Sequence, residues 1–549
     1  MCGILFVTRE YPVERSFAET KAREMLTLAF DGLLITNNRG KDGGCGVATY
    51  TPYQPWKLHP ERSAYDDKKR EFEDISKLYE RFMNGFDRLT PADTGAFPEA
   101  VIGHVRYSTQ GEVNLANVHP LMAHHPKSKD LMAEIRAGPK GVTLALAVNG
   151  ETWIQPEWEE QIKEIDMKGA TSDSAKLAGM IVEDYLRESS LEKTLSNFYN
   201  KIFDYGMIAT SGILVDDEKK KSYLFWMADG GRPLYEARIN GYVMGISEKS
   251  YPQMLKIQGR HDVTSIKKVK GGTIRIQDLE TKAIIGLNMD RVKPSCFFED
   301  HYFKRPENAG SYRRRCGRCL AKEHPPPPGK NVVIAPVPQS GNSYAHGYSH
   351  KSRVHIEEIL LRSPLSKEVR AFIASQDPVL RGEQALLKFI VAAGDCKGKK
   401  IVIVDDSLVE GNVSMKVNYL LRRAGALEVH GRSGCPPIVG PCRGGIDIPE
   451  DRPLVRKLGF NPHAVVESHT LLEERLKCVE DPKLGTIKFD SFGYLSIESL
   501  KKCLGGGSYC TGCVTLEYPY MFKDMEKCGA KFVPVKPRKK TEDKSVPKE

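Results

Sequence analysis

A layered α+β half followed by an α/β half is the architecture predicted for this 549-residue sequence. Three observations carry that prediction. The chain is too long for a single hydrophobic core and calls for two or three domains. Up to about residue 290 it reads as short β-rich runs separated by glycine-rich turns, broken by helical spacing only around Phe17–Leu34 and Ser174–Leu186. Beyond Cys296 the runs "NVVIAPVP" and "KKIVIVDDS" are continuously apolar and end in polar residues, as strands of a parallel sheet covered on both faces do.

Taken in order, the first half offers "GCGVATY", "AVIGHVRYST", "VTLALAVNGE", "TSGILV", "KSYLFWM", "GYVMGIS" and "GGTIRI" as strands. Strands and helices mixed in this way form layers. The stretch from Thr51 to Gly95, with its charged "DDKKREFEDISKLYERF", reads as an inserted helical excursion. In the second half the run ending in Asp405 and Asp406 precedes the helix-like "SMKVNYLLRRAGA", a βα unit of a doubly wound sheet. Domain limits are therefore expected at 2–290 (with the insertion at about 51–95) and 291–530, with a basic disordered tail at 531–549.

Composition narrows the function classes. With 40% hydrophobic and 28% charged residues the chain is globular in kind, and no run approaches the roughly 20 apolar residues that cross a bilayer. The opening is too short and wrongly flanked for a secretory signal, and the 13 cysteines are odd in number and scattered. A cytoplasmic location with reduced thiols is expected. Part of the +10 charge sits in "KPRKKTEDKSVPKE", and neither zinc-finger spacing nor an RNA-binding aromatic motif occurs, so nucleic acid is not the expected partner.

Cys2 stands where loss of Met1 would give it a free α-amine beside its own thiol, a nucleophile and a base in one residue. Arg106 follows an apolar strand, where its fork suits a carboxylate or a surface salt bridge. Asn149 and Gly150 at a strand end could face an oxyanion or form a hairpin turn. Asp173 opens a helix, as a ligand for an ammonium or as an N-cap.

"MCGI", "NNRGKDGGCGVA", "GHVRYST", "VNG" and "TSDS" occur in the order found in class II glutamine amidotransferases, which this half closely resembles. The resemblance implies an N-terminal-nucleophile hydrolase fold, a four-layer αββα sandwich. It also implies roles: Cys2 attacks the glutamine amide, Asn149 and Gly150 hold the oxyanion, Arg106 binds the α-carboxylate and Asp173 the α-ammonium. The family often has His where Val148 stands, and Glu where Ala175 and Lys176 stand.

In the second half, "MADGGRPLY", "SCFFEDHYFKRPEN", "VPQSG", "RRAGALEVHGR", "CPPIVGPCRGGIDIP" and "FGYLSIESL" follow the order of the amidophosphoribosyltransferases. This resemblance implies a type I phosphoribosyltransferase domain and ammonia transfer to phosphoribosyl pyrophosphate (PRPP) with Mg²⁺, giving 5-phosphoribosylamine in the first step of purine synthesis. Asp405 and Asp406 would bind the ribose diol. Ser407 and Gly411 would lie in the phosphate loop, with Ser340 and Arg370 in the pyrophosphate and flexible loops. A symmetric dimer or tetramer is the family's assembly. Departures from the usual loop sequences are Glu410 for Arg, Asn412 and Val413 for two Thr, and Gln339 for Asp. They leave open a diverged amidotransferase with another phosphosugar acceptor, or a regulator with a degenerate acceptor domain.

The same resemblance places four cysteines of the iron–sulfur branch at Cys296, Cys442, Cys510 and Cys513, the ligand set of a [4Fe–4S] cluster. Spacing alone admits a zinc site from Cys316, Cys319, Cys510 and Cys513 instead.

Overall fold

The computed structural model describes residues 2–39, 44–52, 58–63, 65–66, 71–72, 75–89, 97–106, 114–126, 141–363, 389–409, 411–446, 448, 477–481 and 485–536. In chain order its first half contains β1 (Gly3–Arg9), α1 (Ala18–Thr36), β2 (Cys45–Tyr50), β3 (Leu58–Ser63), α2 (Ile75–Leu89), β4 (Ala100–Val105), β5 (Leu121–Pro126) and β6 (Gly141–Thr152). Then come α3 (Asp173–Glu188), α4 (Leu191–Ile202), β7 (Gly206–Asp216), β8 (Lys221–Ala228), β9 (Tyr235–Ile239), β10 (Tyr242–Ile246), α5 (Ser250–Gln258), β11 (Val263–Lys268), β12 (Thr273–Asp278) and β13 (Ile284–Asn288).

These strands form two antiparallel sheets, one ordered β11-β9-β10-β1-β4-β2-β3 and the other β13-β12-β8-β7-β6-β5. Alternation along β1 shows how they stack. Ile4 and Phe6 pack with Ala145, Ala147, Ile213 and Trp226 of the other sheet, while Leu5 and Val7 pack against α1 and α5. On α1 the buried Ala22, Met25, Leu26, Ala29, Phe30 and Leu33 fall at helical spacing on one face. The second sheet turns Leu144, Leu146 and Val148 toward α3 and α4. The outcome is the expected αββα sandwich.

Two expectations need correction here. Leu58–Ser63 lies inside the supposed helical excursion, yet it pairs with β2 along its full length as the edge of the first sheet. Charged side chains such as Glu61 and Arg62 hid it, and edge strands carry such charges. Among the described residues of this stretch α2 has the expected helical form; it packs on α1 through Phe30, whose ring centroid is 5.0 Å from that of Tyr79. At the other end, Lys531–Phe532 is not disordered tail but a strand paired with Glu517–Tyr518. Residues 537–549 lie outside the described residues.

The second half contains β14 (Ser295–Cys296), α6 (Pro306–Glu323), β15 (Val332–Pro336), α7 (Asn342–Ser352), β16 (Lys400–Asp405), α8 (Asn412–Arg423), β17 (Glu428–Ser433), β18 (Ser491–Tyr494), α9 (Ile497–Cys503) and β19 (Tyr509–Cys510). Strands β15-β16-β17-β18 make a parallel sheet, in which β15 and β16 are the unbroken apolar runs and β17 and β18 carry polar residues. Helices α6 and α7 cross backbone to backbone. A Cβ on Gly317 would lie 2.0 Å from the Tyr344 carbonyl oxygen, and one on Gly347 would lie 2.1 Å from that of Arg314.

Candidate functional site

Strand register assembles the first cluster. β1 lies antiparallel to β4 with Gly3 opposite Val105, so Cys2 comes beside Arg106, the residue that follows β4. Arg106 is buried, and its charge is shared between the Cys2 thiol and Asp173. Asp173 is the first residue of α3, but the N-cap is Ser172, whose Oγ accepts from the Ala175 N–H at 3.3 Å. The Asp173 carboxylate is thereby released from capping and accepts from the Thr152 N–H at 3.0 Å. Burial pushes its pKa up, against the pull of that N–H, of Ser174 and of Arg106.

Asn149 and Gly150 do not end a strand, as the dipeptide suggested. β6 continues to Thr152, with Asn149 opposite Ala209 and Gly150 opposite Ile208 on β7. Gly150 has φ +141°, and a Cβ there would lie 1.9 Å from the Met207 carbonyl oxygen, so only glycine fits. Asn149 is fully buried, and among the described residues neither Oδ1 nor Nδ2 has a hydrogen-bond partner. Burying an unsatisfied polar group costs about 1–3 kcal/mol, and such a group marks the place of a polar ligand.

Several residues at this site escaped sequence reasoning. His104 and His119 stack at 4.0 Å. His104 Nε2 donates to the Val148 carbonyl at 3.0 Å, and His119 Nδ1 accepts from the Val148 N–H at 3.2 Å. Burial pulls His104 down to about 3 and His119 well below its ordinary value, so both are neutral struts holding the strand that carries Asn149. Arg39 Nε donates to the Cys2 carbonyl at 3.2 Å. The same guanidinium binds Glu248 at 3.2 Å and grips both oxygens of Glu299 at 2.8 Å. Glu299 is 3.9 Å from Arg232, which donates to the Gly444 carbonyl. A buried chain of charge thus runs from the Cys2 backbone into the second half. No spacing rule links residues 39, 232, 248 and 299, so only the fold reveals it.

In the second half Asp405 ends β16, and the Asp406 N–H donates to its Oδ1 at 2.8 Å. Ser340 Oγ stands 3.5 Å from the same oxygen, and Ser407 Oγ donates to Asp406 Oδ2 at 2.8 Å. Burial and the neighbouring Asp406 charge push Asp405 well above the carboxylate range. Gly411, with φ +78°, caps the N-terminus of α8. These four polar residues and Gly411 flank the C-terminal end of β16, where parallel α/β sheets bind ligands. His301, also unforeseen, donates from Nε2 to the Asp406 carbonyl at 2.9 Å and is buttressed by the Tyr312 hydroxyl at 3.0 Å. Val413, in the first turn of α8, is partly buried and packs against the core. Arg370 and Glu410 lie outside the described residues.

The parallel pairing of β14 and β19 sets Cys296 opposite Cys510. Cys442 and Cys513 join them, all four buried, with Arg232 as the nearby cation. Burial pushes Cys296 up to about 11 and Cys510 to about 12. As placed, no three His, Cys, Asp or Glu side chains among the described residues converge to hold a metal ion. Cys316 and Cys319 face Cys503 instead of Cys510 and Cys513, so the four-thiol zinc set is not assembled. Among the described residues no helix is long and apolar enough to cross a membrane.

No family model matches the chain. The amidophosphoribosyltransferase of Methanocaldococcus jannaschii is 30% identical over 439 residues, 76% of this chain and 83% of the relative. Amidophosphoribosyltransferase 1, chloroplastic, of Arabidopsis thaliana is 32% identical over 437 residues, covering 77% and 67%. The solved glutamine PRPP amidotransferase of B. subtilis, complexed with ADP and GMP, has the same fold at a TM-score of 0.68 and 23% identity, over 95% of this chain and 98% of that one. The chain belongs to the amidophosphoribosyltransferase family.

Proposed function

We propose that the protein releases ammonia from glutamine at Cys2 and transfers it to PRPP, giving 5-phosphoribosylamine, the first step of purine biosynthesis. The observation that carries this reading is the buried Asn149 amide, without a partner among the described residues, in the cluster that holds Cys2, Arg106 and Asp173. With Met1 removed, the Cys2 α-amine takes the thiol proton as sulfur attacks the amide carbon, then delivers it to the departing ammonia. Asn149 Nδ2 and the Gly150 N–H receive the developing oxyanion. Arg106 pairs with the substrate α-carboxylate, and Asp173 with its α-ammonium. Water then releases glutamate from the thioester.

At the acceptor, Asp405 and Asp406 bind the ribose hydroxyls, while Ser407 and the backbone from Gly411 into α8 hold the 5-phosphate. Ser340 and Arg370 belong with the pyrophosphate. Mg²⁺, brought with PRPP, would neutralise the leaving group. A [4Fe–4S] cluster held by Cys296, Cys442, Cys510 and Cys513 would tie the C-terminal segment to the domain junction. Symmetric assembly and a cytoplasmic location complete this reading, to be checked by light scattering and by imaging of tagged protein.

The test is glutamine hydrolysis by anaerobically purified protein, with and without PRPP and Mg²⁺, with phosphoribosylamine assayed alongside. Stimulation by PRPP with phosphoribosylamine formed is the expected result; glutamine hydrolysis indifferent to PRPP overturns the acceptor assignment. That outcome favours the second reading, another phosphosugar, for which Gln339 and Asn412 in the acceptor loops speak. Cys2→Ala is expected to abolish glutamine-dependent turnover, and full activity in that variant overturns the first half.

A further inference from the structure

Three cysteines outside the sites above meet where α9 ends on α6. Cys503 Sγ lies 3.7 Å from Cys319 Sγ, and Cys316, one helical turn before Cys319, bonds the same thiol. Cys316 is fully buried and Cys503 is 3% exposed, whereas Cys319 is half-buried; Cys319 and Cys503 both line a cavity of about 620 Å³. Arg315, Arg318 and Lys322 of α6 line one side of it, and Lys351, Arg353 and Lys502 another. Among the described residues lining it none is acidic, although the Glu323 carboxylate at the end of α6 acts on both Cys319 and Cys503.

The arrangement separates the roles of the thiols. Hydrogen bonds from Cys316 and Cys319 and the charge of Arg315 lower Cys503 to about 7 against its burial and the Glu323 carboxylate, while burial holds Cys316 far above the ordinary thiol value. A thiolate with a second thiol in reach is the working pair of thiol–disulfide exchange. The cations around it raise the local concentration of anions. Three thiols without a fourth ligand are not a closed zinc site, and no metal-holding group occurs here among the described residues.

We propose that Cys503 and Cys319 form a thiol–disulfide exchange site for an anionic low-molecular-weight disulfide, which closes to an intramolecular Cys319–Cys503 disulfide. The Cys503 thiolate attacks one sulfur of R–S–S–R; a Cys503–S–S–R bond forms, the original S–S bond breaks and R–S⁻ leaves. Cys319 then gives its proton to R–S⁻ and attacks the Cys503 sulfur, expelling the second R–S⁻, which takes up the proton that Cys503 had lost to solvent. Two protein thiols are oxidised and one disulfide is reduced to two R–SH. The two sulfurs start 3.7 Å apart and close to a bond of about 2 Å. The site stands apart from the glutamine and PRPP chemistry and does not rest on it.

The test treats reduced full-length protein with glutathione disulfide, an anionic disulfide, or with cystamine, a cationic one, and maps linkages by non-reducing peptide mass spectrometry. A Cys319–Cys503 linkage is expected on the order of tenfold faster with glutathione disulfide at low salt, with the gap closing in concentrated salt. Cys319→Ser should trap a glutathione adduct on Cys503. Equal rates with cystamine, linkage through Cys316, or adducts confined to other cysteines each overturn the proposal. Should the variant fail to fold, the mapping of the unmodified sequence decides alone.

Discussion

Replacing Arg39 with methionine removes the cation at the centre of the buried network while keeping most of its volume. Arg39 is unexposed, and its partners Glu248 and Glu299 have side chains only 1% and 3% exposed. Removing one member of a buried ion pair costs about 3–5 kcal/mol, because the remaining charge stays desolvated. Arg232, 3.9 Å from Glu299, is too distant to replace a bidentate grip at 2.8 Å. Urea unfolding of Arg39→Met should therefore lie about 3–5 kcal/mol below the parent. The variant also loses the hydrogen bond to the Cys2 carbonyl, worth about 1–1.5 kcal/mol, which is up to about tenfold in glutamine turnover if felt fully in the transition state. A double-mutant cycle with Glu299→Met isolates the pair. If Arg39→Met matches the parent, or the two changes add to within about 0.5 kcal/mol, the network carries no energy and the argument fails.

Other outcomes can be checked directly. Asn149→Ala should lower kcat for glutamine hydrolysis by about 100- to 1000-fold with little change in the urea midpoint, since the lost amide has no partner among the described residues; an unaltered kcat refutes its oxyanion role. Gly317→Ala should destabilise the second half by about 2 kcal/mol or more, because its methyl meets the Tyr344 backbone, and calorimetry reads this as an earlier transition. Asp229 is raised from 3.8 to about 6 by burial, so the folded protein holds that proton more tightly than the unfolded chain. Its contribution is complete below about pH 4 and is lost as pH rises through about 6, about 3 kcal/mol in all. Asp229→Asn should flatten that part of the stability–pH curve, and an unchanged slope assigns it to another group.

The periodicity of the sequence was enough for the layers. α1 and α3 keep the expected apolar faces, and the first two parallel strands, β15 and β16, appear as continuous apolar runs. Legibility fails where a residue's role depends on a partner far along the chain. Leu58–Ser63 is too polar to read as a strand until β2 lies beside it. Asp173 looks like a cap until Ser172 is seen to take that task. Asn149–Gly150 has the composition of a turn, and only eleven paired residues of β6 with β7 reveal it as strand. The cysteines show the same limit: local C-x-x-C spacing is identical at Cys316–Cys319 and Cys510–Cys513, but the fold gives them different company.

The loop after Cys442 has a bearing on how divisible the molecule is. A Cβ on Gly445 would lie 2.9 Å from the Gly150 Cα, so the second half packs directly against the part of β6 that carries Asn149. Arg232 fastens that contact through Gly444. A fragment ending near residue 290 would keep Cys2, Arg106, Asn149 and Asp173, but would expose the backbone of β6 at Gly150 where Gly445 now covers it. The boundary legible in the sequence is a boundary of layers and not of activities, and grafting the first half alone onto another acceptor would transplant an incomplete pocket.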